Sequence, residues 1–194
     1  MKKISELKFL NKNIRVLPLD PKAYIIGESR TVVDAIYAKT VLQPLKVPKM
    51  VAYCAEALAL IGVDTTKYTD EGELAREVEM YLGGNEIIPN SGCTPYAQAY
   101  CGHQFGSFAG QLGDGASMYL GEVEVETKSG VTKVVELTLK GAGQSPFSRS
   151  ADGRKVLRSS IREFLGSEAM YFLGIPTTRS GSLVTSSSSV MRDP

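Results

Sequence analysis

The sequence predicts an α+β fold in which an antiparallel sheet is followed by a long helix. Apolar and polar residues alternate between Met118 and Lys140, which is the period of half-buried strands. Apolar residues recur at helical spacing between Asp152 and Gly174. The chain has 194 residues, of which 43% are hydrophobic. This length suits one domain, or one domain and part of another.

Residues 1 to 95 are predicted to form a mainly helical and irregular segment. Prolines interrupt the first 50 residues. One helix is expected from Pro48 to Leu60. A second helix is expected to begin after the capping residue Asp70 and to end at Gly83. Its apolar face contains Leu74, Val78, Tyr81 and Leu82.

Two strands joined by a short turn are predicted next. The first strand is expected to bury its apolar residues and to expose three glutamates, Glu122, Glu124 and Glu126. The turn is assigned to Lys128-Ser129-Gly130. The second strand is expected to end at Lys140, immediately before the turn Gly141-Ala142-Gly143.

The long helix is predicted to start at Asp152, because its side chain can accept hydrogen bonds from the first turn. It is predicted to stop at Gly174, with Pro176 following. The apolar face contains Leu157, Ile161, Phe164, Leu165, Phe172 and Leu173. The other side carries several arginines and lysines, for which a solvated basic face is the simpler interpretation.

The composition argues against several classes of function. The net charge of +1 gives no general attraction to nucleic acid or to anionic membranes. The uncharged stretch from Ile87 to Gly113 is rich in glycine and contains prolines, so it does not suit a membrane span. Three cysteines without metal-site spacing indicate reduced thiols in an intracellular protein and no zinc site. The N-terminus has no secretory signal and is a poor mitochondrial presequence.

Three features of the sequence favour an anion. The turn Gly113-Asp114-Gly115 permits positive φ angles and close approach of backbone N–H groups, although alone it suits an ordinary hairpin better. Lys140 brings a positive charge to the end of a strand. The turn Asp152-Gly153 is expected to open the helix, where free N–H groups favour an anion. A glycine loop, a strand lysine and an acidic helix follow in the order of a kinase-like nucleotide site.

Two glutamates of the helix are candidate partners for Lys140. At about 100° per residue, Glu168 falls within the apolar face and Glu163 falls on the opposite side. A buried glutamate needs a cation, so the helical wheel favours Glu168, provided that the apolar face looks toward the strands.

The sequence resembles the selenoprotein O family in two long segments. These are YCGHQFGSFAGQLGDGASMYLGEV and LKGAGQSPFSRSADGRKVLRSSIREFLGSEAMYFLGIPTTR. The similarity covers about residues 95 to 194 and is looser upstream. It implies a kinase-like, pseudokinase-related protein adenylyltransferase that binds ATP in a flipped orientation and transfers AMP to Ser, Thr or Tyr hydroxyls of proteins. It further implies a mitochondrial protein in a eukaryote and a cytoplasmic one otherwise.

The resemblance also implies roles for individual residues. Gly113 and Gly115 would contact the nucleotide through their backbone, beside Ala116, where bacterial members often have arginine. Lys140 would hold phosphate. Asp152 and Gly153 would contact ATP as well.

For the lysine's partner, the family motif REFL points to Glu163, and we take Glu163 over Glu168, which stays as the second choice.

The family's catalytic aspartate, its phosphate-binding arginines and its Mg²⁺ ligands correspond to positions beyond residue 194. We therefore expect a kinase-like N-terminal lobe at residues 96–194 without its C-terminal lobe, preceded by an extension at residues 1–95. No catalytic base or metal ligand is expected within the chain, which should be inactive alone. The alternatives are a kinase-like enzyme that transfers the γ-phosphoryl group and a non-catalytic nucleotide-binding or interaction module.

Overall fold

The computed structural model describes residues 1–22, 30–127 and 129–191, and within these residues it is an α+β structure with antiparallel sheets. The α-helices are Lys12–Val16 (α1), Ala55–Ala59 (α2), Glu71–Glu77 (α3) and Leu157–Phe172 (α4). The strands are Tyr37–Lys39 (β1), Lys49–Tyr53 (β2), Tyr96–Gln104 (β3), Ser107–Gly113 (β4), Ser117–Glu126 (β5), Thr132–Lys140 (β6) and Ser182–Thr185 (β7). Short 3₁₀ turns span Ile4–Glu6 and Thr65–Lys67. The α+β prediction is confirmed.

The larger sheet contains five of the described strands in the order β1-β3-β5-β6, with β4 paired to β3. The predicted strand pair is β5 and β6, and Ser117 lies opposite Lys140 at its end. Gly130 N donates to Thr127 O at 2.9 Å across the turn, while Lys128 lies outside the described residues. The second sheet pairs β2 with β7.

A bulge between Tyr119 and Gly121 changes which side chains of β5 face the core. Because a bulge inserts an extra residue, apolar side chains on both sides of it reach the same core. Glu122, which also follows the bulge, is only 4% exposed, so the prediction that it faces water is wrong. Its carboxylate accepts hydrogen bonds from the amides of Lys12 at 3.0 Å and Asn13 at 2.9 Å, at the start of α1. This pairing makes the burial of Glu122 tolerable.

The hydrophobic core lies between the β5–β6 pair and segments from the first half of the chain. It contains Met118, Leu120, Val123 and Leu139 from the strands, and Ile4, Leu7, Leu58, Leu74 and Val78 from the earlier segments. Residues on both sides of position 95 therefore share one core. The division into two regions at residue 95 stays a prediction.

The helix expected from Pro48 to Leu60 is wrong in its first half. Lys49–Tyr53 is strand β2, paired antiparallel with Ser182–Thr185, and only Ala55–Ala59 is helical. A five-residue segment has too few turns for its period to separate helix from strand. Here the pairing with a strand far along the chain decided the conformation.

Helix α3 follows the prediction closely. The side chain of Asp70 accepts a hydrogen bond from Glu73 N at 2.8 Å, which caps the helix. The helix continues into a π-helical turn at Val78–Leu82, and Gly84 then takes a φ of +76°. Leu74 and Val78 are buried, as expected for its apolar face.

Helix α4 differs from its prediction in two ways. It begins at Leu157 and not at Asp152, whose Oδ1 instead accepts from Arg154 N at 2.9 Å in a local turn before the helix. None of its 16 residues is buried, and Leu165 is 61% exposed. The predicted end is confirmed, because Gly174 has a φ of +77° just past the last turn. Nowhere in residues 1–22, 30–127 or 129–191 does a helix combine the length and apolar character needed to cross a membrane.

Candidate nucleotide-binding site

The structure brings Lys140 and Glu163 together across the gap between β6 and α4. Lys140 Nζ lies 3.3 Å from Glu163 Oε2. The two side chains are 49% and 65% exposed. An exposed ion pair of this kind contributes at most about 1 kcal/mol to stability. The pair therefore orients a positive charge in a place that solutes can reach, and it does little to hold the fold.

Glu168 does not reach Lys140 and binds Arg179 instead. Arg179 Nε donates to Glu168 Oε1 at 2.8 Å, and its Nη2 donates to Oε2 at 2.6 Å. The amide of Ser180 also donates to Oε1, at 3.2 Å. The hydrogen bonds from Arg179, more than any other cause, lower the pKa of Glu168 to about 2. The cation that the helical wheel required is thus an arginine that follows the helix.

The glycines of the Gly113-Asp114-Gly115 turn are needed for close packing, and not for the positive φ angles that the sequence suggested. Neither glycine has a positive φ. A Cβ atom added at Gly113 would lie 2.3 Å from Phe147 Cγ. One added at Gly115 would lie 2.9 Å from Phe147 O. Any side chain at these positions would push away the segment that contains Phe147.

The peptide groups of this turn have a defined orientation. The carbonyl of Asp114 accepts from Ser145 Oγ, and that of Gly115 accepts from Ser148 Oγ, each at 2.6 Å. These peptides are trans and planar, so each N–H group points opposite to its carbonyl. The N–H groups of Gly115 and Ala116 therefore point away from the two serines. Successive N–H groups on one side of a turn form a concavity that suits an anion.

The other two predicted anion features meet this turn. Ala116 O accepts from Gly141 N at 2.8 Å, which joins the glycine turn to the residue after Lys140. Gly153 has a φ of +67°, and a Cβ atom there would lie 1.9 Å from Gly143 O. The turn at residues 152–153 is thus pressed against the turn that follows β6, although it does not open the helix.

Asp152 forms hydrogen bonds at both carboxylate oxygens. Besides the contact with Arg154, Oδ2 accepts from Met191 N at 2.6 Å. A polar cleft of about 500 Å³ lies beside it, lined among others by Gln43, Arg154 and Ser188. Neither Lys140 nor Glu163 lines this cleft, so it is separate from the ion pair.

Sequence reasoning missed three residues of this region. Burial raises the pKa of Asp114, although the Tyr119 hydroxyl and the charge of Lys140 act in the opposite direction. Phe147 packs against the glycine turn, and Arg179 binds the carboxylate of Glu168. Of the three, only Arg179 could have been found from the sequence, because it is a cation that soon follows a helix with a glutamate in its apolar face. Among the described residues, no group of three or more His, Cys, Asp or Glu side chains could hold a metal ion.

Comparison with known proteins identifies a family for this chain. A family model described as "Protein adenylyltransferase SelO" matches residues 30–194. The chain is 50% identical to "Protein adenylyltransferase SelO, mitochondrial" of Mus musculus over 194 residues. This aligned region covers 98% of the chain and 28% of the relative. The Homo sapiens protein of the same name gives the same identity and coverage. "Protein nucleotidyltransferase YdiU" of Azoarcus sp. (strain BH72) is 48% identical over 188 residues, with 96% of this chain and 34% of the relative covered.

The chain thus spans 28% to 34% of the length of these relatives. The family match covers well over half of this chain and includes the Lys140–Glu163 pair and all three glycine turns. The chain belongs to the protein adenylyltransferase SelO family.

Proposed function

We propose that this chain is the ATP-binding part of a protein adenylyltransferase that transfers AMP from ATP to Ser, Thr or Tyr hydroxyls of proteins. The observation that carries the proposal is the Lys140–Glu163 ion pair beside the glycine turn, in a chain of the SelO family. Residues 96–194 would form a kinase-like N-terminal lobe, and residues 1–95 its extension.

The residues present fit a triphosphate. The N–H groups of Gly115 and Ala116 point away from Ser145 and Ser148, where they can donate to phosphate oxygens. Lys140 supplies a positive charge that Glu163 orients. Gly113, Asp152 and Gly153 shape the surrounding turns. Bound ATP would supply the electrophilic α-phosphorus and the pyrophosphate leaving group.

The remaining chemistry is expected from the part of the relatives that this chain does not span. We place the catalytic base and the Mg²⁺ ligands there, because the resemblance to the family puts their counterparts beyond residue 194. Ala116 provides no side-chain cation for the phosphates. The chain alone is therefore expected to bind ATP without transferring AMP.

Binding can be tested on this chain. Lys140→Ala should weaken binding of a fluorescent ATP analogue by about tenfold or more, since it removes a charge from the phosphate site. Lys133→Ala is the matched control, because Lys133 lies on the same strand at its other end. Equal affinities for the wild type, the control and Lys140→Ala would exclude Lys140 from the site.

Transfer can be tested on a full-length relative that carries the same substitutions at the equivalent positions. Lys140→Ala and Glu163→Gln should each lower transfer by about 10²–10³-fold, the cost of removing one preorganised electrostatic donor. The double variant should be little worse than either, because the two residues act as one unit. Mass spectrometry of the modified substrate distinguishes added AMP from added phosphate. Added phosphate would support the kinase alternative, and no modification would support a binding module.

A further inference from the structure

We propose that Glu168 and Arg179 form a positioning pair that sets the orientation of helix α4, so that Glu163 reaches Lys140. The significance of this pair for catalysis rests on the proposed function. The geometric claim does not, because it concerns how one ion pair holds another in place.

The first step is that α4 has no apolar contact strong enough to orient it. None of its 16 residues is buried, and six of its large apolar side chains are 38% to 75% exposed. Its half-buried residues are Ser159, Ser160, Phe164, Ser167 and Glu168. When a helix buries a stripe of large apolar side chains, that stripe fixes the rotation of the helix about its own axis. Helix α4 has no such buried stripe.

The second step is that polar contacts at Glu168 replace the missing core. Arg179 binds both carboxylate oxygens, and the side chains of Glu168 and Arg179 are only 14% and 8% exposed. Cys54, which precedes α2, lies with Sγ 3.3 Å from Oε2. The hydroxyl groups of Ser167 and Ser180 lie 2.7 Å apart. Planar two-point binding of a carboxylate by arginine fixes direction as well as distance.

The third step is that these contacts tie α4 to the smaller sheet. Arg179 and Ser180 lead directly into β7, which pairs with β2, and the amide of Cys54 donates to Gly181 O at 2.9 Å. The Arg179 guanidinium also lies 3.6 Å from the centre of the Tyr171 ring, near the end of α4. The helix is thus attached to a paired strand through one cluster.

The last step is the geometry of the helix between the two glutamates. They are five positions apart, which corresponds to about 140° of rotation and about 7.5 Å along the axis. The two carboxylates therefore face different partners, Lys140 and Arg179. The exposed Lys140–Glu163 pair is too weak to orient the helix by itself. The covered Glu168–Arg179 pair must determine where Glu163 lies.

The test uses ¹³C NMR of the chain after reductive dimethylation of its lysines, which preserves their charge. The Lys140 signal is assigned with Lys140→Arg, and its position without nucleotide reports the nearness of Glu163. Glu168→Gln should move this signal most of the way to its position in Glu163→Gln. In a Glu163→Gln background, Glu168→Gln should cause no further movement of the Lys140 signal, because the Lys140–Glu163 ion pair is already absent.

Glu77→Gln is the matched control. Glu77 also accepts several hydrogen bonds, including one from Tyr68 at 2.7 Å, but it lies away from α4. This variant should leave the Lys140 signal unchanged, and the Lys3 signal, next to Glu73, should not respond to Glu168→Gln.

An unmoved Lys140 signal in folded Glu168→Gln would overturn the proposal, whatever the affinity for ATP. If that variant does not fold, Arg179→Lys decides in the same way, since it keeps the charge and loses the two-point geometry. A wild-type chain that binds no ATP analogue, together with a moved Lys140 signal in Glu168→Gln, would reject the proposed function alone.

Discussion

Helices α3 and α4 have the same kind of sequence and very different surroundings. Each places apolar residues at helical spacing, and a glycine follows soon after the last turn of each. In α3 and the π-helical turn that continues it, Leu74 and Val78 are buried in the core, whereas α4 buries no residue at all. An apolar stripe in a sequence therefore indicates a helix, but it does not show which element covers the stripe.

The two helices are consequently held by different forces. Burial of apolar surface stabilises α3, at about 25 cal/mol for each Å² removed from water. Hydrogen bonds and charge at Glu168 hold α4. Substitutions of one type should therefore have unequal effects in the two helices.

The largest difference is expected for leucine truncation. Leu74→Ala should lower the free energy of unfolding by about 2–5 kcal/mol, because Leu74 is 2% exposed and the change leaves a cavity. Leu165→Ala, in the exposed stripe of α4, should change it by less than about 0.5 kcal/mol. Urea denaturation of both variants measures the two values. A loss above 2 kcal/mol at Leu165 would mean that another element covers α4 in solution.

Acidification should destabilise α4, and the size of this effect should lie between those of the leucine and the glycine substitutions. The pKa of Glu168 is lowered to about 2 from an ordinary value near 4.5, so its stabilising contribution is complete above pH 4.5 and is lost as the pH falls toward 2. A carboxylate hydrogen-bonded to a charged group contributes about 1.5–3 kcal/mol. The protection factors of α4 amides against hydrogen exchange, which compare the observed rate with the intrinsic rate at the same pH, should fall over this interval. In Glu168→Gln these protection factors should already be low at pH 7, and high values there would show that other contacts hold the helix.

The smallest effects are expected at two glycines, one within α4 and one just past its last turn, where an added Cβ atom would meet nothing within 4 Å. Gly166 lies within the helix, and alanine there should stabilise it by about 0.5–1 kcal/mol. Gly174 has a φ of +77°, so alanine there should destabilise the helix by about 1 kcal/mol. Far-UV circular dichroism during thermal unfolding measures both. Effects of the same sign would show that packing, and not backbone conformation, controls these positions.

The candidate site could be predicted from the sequence in part. The family motif pointed to Glu163 beside Lys140, where the structure places it, although helical periodicity favoured Glu168. The sequence pointed to the glycine turn because glycine permits positive φ angles. In the structure Gly113 and Gly115 do not have positive φ angles and instead make room for Phe147. Close approach of a distant segment leaves no local pattern, so the sequence could not reveal it.

The sequence by itself determined the elements whose signals are local. The cap at Asp70, the β5–β6 strand pair and the stop at Gly174 depend on neighbours within a few residues, and all three occur as predicted. Only the tertiary structure decided the burial of Glu122, the strand at Lys49–Tyr53 and the partner of Glu168. Each of these depends on a group that is remote in the chain or on which face of a helix is covered. Local free-energy preferences are small, and a buried charge or a strand pairing outweighs them.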